Sequence, residues 1–318
     1  VPWRIRWEAE GPVVDWCYAG DTRFEEPFFE QTIRRVLRDP AKRAACVQTP
    51  LATLEEVARQ FPGLAPSGFI FHMSRCGSTL AARLLGTLPG CAIVSEAPPI
   101  DALLRANERD PRIGDEQRAS WLRSIVSVLG GRRRGDERTC VVKLDAWHTL
   151  QLPLIERAFP DVPWVFLYRE PLEVLFSHQA QPSLMMSGFL EPGLLGLEPA
   201  AAVCLPREEY HARVLARVCE AALEYGARGA FVDYRELPGA VWEWIAASFG
   251  IEVSEAERGA MREAASFGAK TPAERFTPDG ERKREAASDA VRLAARRLGS
   301  LYERLGAAAQ SQRGTESR

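Results

Sequence analysis

Five short apolar runs constrain this chain more than any other feature. They are GFIFHM (68–73), AIVS (92–95), TCVVK (139–143), WVFLY (164–168) and GAFVD (229–233), with helical patterns near 79–88, 116–129, 147–159, 171–179 and 207–226 between them. Runs that are apolar on both faces suit a sheet covered on both sides, and strands separated by helices pair in parallel through crossovers. The pattern predicts an α/β fold with a central parallel β-sheet flanked by helices.

The flanks read differently. Trp3, Ile5 and Trp7 alternate with Arg4 and Arg6, and Glu10-Gly11-Pro12 supplies a turn before an extended run over 13–18. That is a hairpin signature. Residues 27–38 have a helical pattern, and Thr53 with Glu56 forms a capping-box signature for a helix ending near Phe61. The expected organisation is a small N-terminal hairpin/helix extension over 1–66, a main domain over 67–305 and a disordered tail over 306–318. The extension either packs on the core or contributes to a substrate site, and Trp3, Trp7 and Trp16 share that ambiguity. Prolines, glycines and Leu184-Met185-Met186 mark 180–206 as a long excursion, an expected lid. Residues 240–305 read as helical apart from a polar stretch near 266–284.

Composition removes several function classes. The 318 residues carry 41 basic and 43 acidic side chains, a net of −2, so no global basic field exists to gather nucleic acid. The seven cysteines, at 17, 46, 76, 91, 140, 204 and 219, form neither a CxxC pair nor a Cys/His cluster. That fits reduced thiols in a cytoplasm better than a disulfide framework or a zinc site. Four histidines, at 72, 148, 178 and 211, are too few for a multi-histidine metal centre. No run of 18 apolar residues and no signal-peptide core occurs, so a cytoplasmic protein with no membrane partner is expected. The start at Val1 leaves a trimmed leader open.

The first chemical motif is FIFHMSRCGSTLAARLL, a strand, a glycine-containing loop and a helix. Backbone N–H groups at a helix N-terminus point at a bound anion, and the helix dipole favours its charge. Gly77 permits a close turn, Ser78 and Thr79 offer hydroxyls in the first helical turn, and Arg75 supplies a fixed cation. Ser74 and Cys76 complete the loop. The loop departs from GxxxxGK[ST], because no Lys-Ser or Lys-Thr follows Gly77. The nearest imitation, Gly268-Ala269-Lys270-Thr271, lacks a preceding strand. An ordinary βα turn remains the alternative.

The second motif is WVFLYREPLEVLFSH at 164–178. Arg169 stands at the C-terminal end of a buried strand, where open α/β sheets place ligand-binding residues. Pro171 opens the next helix, and Ser177 lies two turns into it, within reach of the same anion.

Together the two segments resemble the sulfotransferases that use 3′-phosphoadenosine-5′-phosphosulfate (PAPS), and a third similarity is FVDYRELPGAVWEWIAASFGI at 231–251. The resemblance covers roughly 68–305. It implies that the first loop holds the 5′-phosphosulfate and that Arg169 and Ser177, eight residues apart, hold the 3′-phosphate. It implies PAPS as co-substrate, adenosine 3′,5′-bisphosphate (PAP) as product, and no metal. Arg75 stands where cytosolic members carry Lys. It is similar to the arginine of the carbohydrate, tyrosylprotein and many bacterial members, and fits a clamp on the transition state, since a guanidinium forks to two oxygens and keeps its proton.

Sulfuryl transfer needs a base beside the acceptor and cations around the leaving oxygen. Three base candidates stand in this order. Glu96 follows the strand AIVS 21 residues after Arg75, as in the Arg-containing relatives. Asp145 lies in VVKLDAWH, where cytosolic members place a histidine, and His148 follows three residues later. The plain alternatives are a helix-terminal carboxylate for Glu96, an N-cap for Asp145 and a packing residue for His148. Lys143 ends a strand at the same sheet edge, and the resemblance places a lysine there against the phosphosulfate. His72 reads as a core or supporting residue. In FTPDGERKREAASDA (276–290), Arg282 and Lys283 are candidates for the 3′-phosphate, by likeness to a late basic loop of the family, or members of a solvated charge run. Competing functions are a P-loop kinase and a non-catalytic PAP(S)-binding protein. The acceptor class has no readable code, and assembly as a homodimer stays open.

Overall fold

The structure, a computed structural model, describes residues 1–188, 196, 198–271 and 273–316. An N-terminal antiparallel sheet joins β1 (Pro2–Glu8), β2 (Gly11–Trp16) and β3 (Val47–Pro50) in that order. The main sheet holds β4 (Pro66–His72), β5 (Cys91–Ser95), β6 (Thr139–Lys143), β7 (Trp164–Tyr168) and β8 (Gly229–Asp233). It is parallel throughout, in the order β5-β6-β4-β7-β8. These are the five apolar runs, and their burial on both faces explains why they lack polar alternation: every residue of β7 is buried, as are Val141 and Val142 of β6 and Phe69, Ile70 and Phe71 of β4.

The strand order decides where the site lies. From central β4 the chain runs outward to β5, returns to insert β6 beside β4, then crosses to build β7 and β8 on the other side. Such a reversal opens a crevice at the C-terminal strand ends. The residues following β4, β5, β6 and β7 all meet there.

Two helices frame the crevice. Ser78–Gly86 buries Ala81, Ala82, Leu84 and Leu85 toward the sheet. Pro171–Ala180 begins with proline at its first position, and the Glu170 carboxylate accepts the N–H groups of Leu172 (3.1 Å) and Glu173 (3.0 Å). The proline lacks a donor where a helix has no partner for one, and the carboxylate satisfies the next two. One buried cluster runs from Ile5 and Val14 of the N-terminal sheet through the main sheet to Leu305 and Ala309.

Four local expectations are corrected. The hairpin gains β3 as a third strand, paired with β2. The Thr53–Glu56 box does not form: the helix Ala52–Gln60 starts from Leu51, which is buried and whose N–H is bound to Pro12 O (3.0 Å). Glu56 turns to Arg59 and Gln60 instead. The polar stretch near 266–284 contains the helix Gly280–Ala286. Residues 306–316, expected as disordered tail, continue the helix Gly299–Glu316, because Leu305 and Ala309 bury a stripe against the core and Gln312 binds the backbone of β8. Of the expected lid over 180–206, the structure describes a short turn at Leu184–Ser187 and a helix at Pro199–Cys204; residues 189–195 and 197 lie outside the described residues. Among the described residues, no helix is long and apolar enough to cross a membrane.

Candidate active site

The loop after β4 departs from ordinary backbone geometry. Ser74, Arg75 and Glu96 have φ of +76°, +53° and +52°, and among the described residues no other non-glycine is left-handed. Left-handed backbone is costly for a residue with a Cβ and persists where its surroundings enforce it, which makes it a pointer to function. Two of the three sit in one loop, and the third is the leading base candidate. Gly77, at φ +88°, caps Ser78–Gly86, and a Cβ there would meet Leu237 Cδ1 at 2.5 Å and the Tyr234 ring at 2.9 Å. That crowding comes from the 231–251 segment, which therefore braces the loop.

These elements enclose a cavity of about 550 Å³, the size of a small-ligand site. Its walls include Ser74, Arg75, Cys76, Gly77, Ser78 and Thr79 of the loop, Glu96, Asp145, Arg169, Ser177 and Lys283. The structure thus brings most of the expected site residues to one space. Lys143 stands directly behind, its side chain fully buried and its ammonium bound to Glu96 Oε1. His148 and Arg282 are not brought in. His148 is buried, accepts the Asp145 N–H on Nδ1 (3.2 Å) and holds Asp101 Oδ1 at 3.0 Å on Nε2. With both nitrogens engaged it has none free for an acceptor, and it positions the turn that carries Asp145. Arg282 is exposed on the outer side of its helix.

The charges around Glu96 sort its protonation. The Glu96 N–H continues the ladder past the strand end to Lys143 O (2.8 Å), and the left-handed turn then brings its carboxylate over the sheet edge. Burial opposes its charge, but Lys143 and His72 outweigh burial and hold the carboxyl well below the usual range. His72 Nδ1 accepts the Ser74 N–H (3.0 Å), which puts the ring proton on Nε2, 3.5 Å from Glu96 Oε1. Burial lowers the His72 pKa, so the ring is neutral and acts as a prop. Asp145 is the opposite case: burial first, and then the Glu96 charge, push it well above the carboxylate range. Glu96 is therefore ionised while Asp145 keeps its proton, a split by environment within one carboxyl pair.

At the other end of the cavity, Arg169 is buried against the Tyr234 ring at 3.9 Å from its centroid. Its Nε donates to Glu173 Oε2 (2.7 Å), and its Nη2 lies 3.5 Å from Asp279 Oδ1. Lys283 Nζ pairs with Asp279 at 2.9 Å, and Arg284 binds Glu173 from outside. Ser177 Oγ donates to its own helix, at Glu173 O (2.7 Å). Three cations thus meet two carboxylates, leaving room for further negative charge. Arg75 reaches the carbonyl and side chain of Gln181 past the end of Pro171–Ala180. Cys76 is inert: its thiol donates to Leu167 O and burial pushes it up to about 12.

Several lining residues were not legible. Phe28, from the N-terminal extension, lies 5.5 Å by ring centroid from both the Lys143 and Lys270 ammonium groups. Gly268, Ala269, Lys270 and Thr271 also line the cavity, although no strand leads into them. Trp3, Trp7 and Trp16 are not among the lining residues; Trp16 Nε1 donates to Thr49 Oγ1 (2.8 Å) within the N-terminal sheet.

No protein-family model matches the chain. No curated protein matches it. Among solved structures it is similar to the sulfotransferase domain of the Synechococcus PCC 7002 olefin synthase, with 16% identity, 74% of this chain and 95% of that one covered, and a TM-score of 0.42. It is similar to a sulfotransferase of Mycobacterium avium at 16% identity, with 78% and 80% covered and a TM-score of 0.44. The sulfotransferase domain of the curacin biosynthetic pathway gives 14% identity, 74% and 98% coverage and a TM-score of 0.44.

Proposed function

We propose that the protein transfers the sulfuryl group of PAPS to a hydroxyl or amine of an acceptor. The observation that carries this is one cavity holding three things together: a left-handed phosphate loop, an ionised Glu96 backed by buried Lys143, and Arg169 with Ser177 and Lys283 at the far end. The two cation-lined ends match a ligand with anionic groups at both ends, as a 3′,5′-bisphosphorylated nucleotide has.

The loop N–H groups and the start of Ser78–Gly86 hold the 5′-phosphosulfate, and Arg169, Ser177 and Lys283 hold the 3′-phosphate, displacing Asp279 from the two cations. Arg75 forks onto sulfuryl oxygens. The acceptor oxygen or nitrogen attacks sulfur as the bond from sulfur to the 5′-phosphate oxygen breaks. That bond's electron pair leaves with the phosphate of PAP, and the acceptor's proton passes to Glu96. Paired with Lys143, Glu96 is a weak base. As the ammonium turns toward the charge growing on the leaving oxygen, Glu96 loses its counter-ion and gains proton affinity when the proton arrives. These cations do at the leaving oxygen what a metal does in phosphoryl transfer.

The test is a thermal-shift comparison of PAP, ATP and ATP with magnesium, followed by a labelled-PAPS screen over phenols, sugars, amines and peptides. PAP is expected to stabilise the chain without magnesium, and Glu96→Gln to keep PAP binding while turnover falls by about 10²–10⁴. Stabilisation by ATP–magnesium alone would point to a kinase. PAP binding without turnover on any acceptor would point to a non-catalytic nucleotide-binding protein.

A further inference from the structure

We propose that Lys270, on the loop that follows the helix Glu255–Ala265, contacts the sulfuryl group being transferred. This rests on the PAPS-dependent function above and adds a residue that neither chemical motif contains.

The late loop is a built element. Phe267 and Arg275 form an antiparallel bridge, the Gly268 N–H donates to Glu274 O (2.8 Å), and the Phe276 N–H donates to Ser266 O (2.9 Å). Arg83, on the helix that starts at the phosphate loop, donates to Gly268 O (2.8 Å) and Phe267 O (3.4 Å). The element that presents the anion-binding N–H groups is thus tied to the backbone two residues before Lys270.

Lys270 is an exposed residue that lines the cavity, with its ammonium 5.5 Å from the Phe28 ring centroid. Among the described residues it forms no ion pair, unlike Lys143 and Lys283. It lines the same cavity as Arg75 and Glu96 and shares the Phe28 ring with Lys143, and the charges that act on it are those of Arg75, Lys143 and Glu96. Two cations and a third around one carboxylate leave net positive charge at the point where the loop and the base meet, and burial with Arg75 and Lys143 lowers the Lys270 pKa to about 8. An ammonium held in that field is stabilised by an anion between it and Arg75. In the proposed complex, that position belongs to the sulfuryl oxygens, which spread charge as the bond to phosphate breaks. Arg169, Lys283 and Arg284 are spent at the other end, so Lys270 meets the sulfuryl group and not the 3′-phosphate.

The experiment compares calorimetric titrations of PAPS and PAP on the full chain and on Lys270→Met and Lys270→Arg. PAP carries both phosphates and lacks the sulfuryl group. Lys270→Met is expected to weaken PAPS by about tenfold or more and PAP by less than about threefold, and Lys270→Arg to restore most of the loss. Equal weakening of both nucleotides, or no change in either, would overturn the contact while leaving the sulfotransferase function standing. Loss confined to the KM of one anionic acceptor, with PAPS binding intact, would overturn it in favour of acceptor recognition. Binding of neither nucleotide by the wild-type chain would overturn the function and the contact together.

Discussion

At the residue scale, the cavity gives two neighbouring carboxyls opposite states. Glu96 is held ionised by Lys143 and His72, and Asp145 is held protonated by burial and by Glu96 itself. A carboxyl whose pKa rises on folding adds stability that is complete below its unfolded value of about 4 and is lost as pH rises through the folded value. Wild-type protein should therefore lose thermal stability from about pH 4 upward through the raised pKa of Asp145. Asp145→Asn, which stays neutral, should lack that slope and exceed the wild type in Tm on the alkaline side. A pH series of melting temperatures for both proteins checks this; parallel curves would mean that Asp145 is ionised in the folded state. Glu96 adds stability of the opposite sign, present above its unfolded pKa and lost as pH falls toward its depressed folded value.

At the element scale, the loop after β4 is braced from outside. Leu237 and Tyr234 fill the space beside Gly77, so Gly77→Ala adds both a left-handed backbone penalty of about 1–2 kcal/mol and a clash with Leu237. The variant should melt several degrees lower and lose most of its anion binding, measured by PAP titration; unchanged PAP affinity would show that the loop does not depend on this brace. The loop, the strand runs and Arg169 with Ser177 were legible because they follow local rules: apolar runs for buried strands, glycine where the backbone turns left, proline at a helix start. Phe28, Glu173, Lys270 and Asp279 were not, because their place in the site comes from tertiary packing that no spacing encodes. Thr53 shows the same limit in reverse. Its capping signature is locally sound, and a buried leucine with a backbone bond to Pro12 overrode it. Arg282 and Lys283 sit side by side in sequence, and only the helical turn of Gly280–Ala286 decides that the second faces the cavity.

At the scale of the whole molecule, the C-terminal helix closes the main sheet. Gln312 accepts the outward N–H of Phe231 (3.1 Å) and donates to Gly229 O (2.6 Å), so it satisfies part of the edge of β8 that would otherwise face water. Ending the chain at Leu305 should cost about 2 kcal/mol from these bonds, more from the lost packing of Ala309 on the core, and should promote association through the bared edge. Melting temperature and light scattering read the two effects; a truncated chain as stable and as monodisperse as the parent would refute the edge role. The same molecule carries its own resident anions. Glu173 and Asp279 hold Arg169, Lys283 and Arg284 before any nucleotide arrives. On the proposed function, nucleotide entry at this end of the cavity would exchange one anion for another. Inorganic phosphate would gain little from that exchange, whereas the proposed nucleotide would also be held by the loop at the other end. On the proposed function, the carboxylates would return to the cations as the spent nucleotide leaves, and that competition would favour turnover over tight retention.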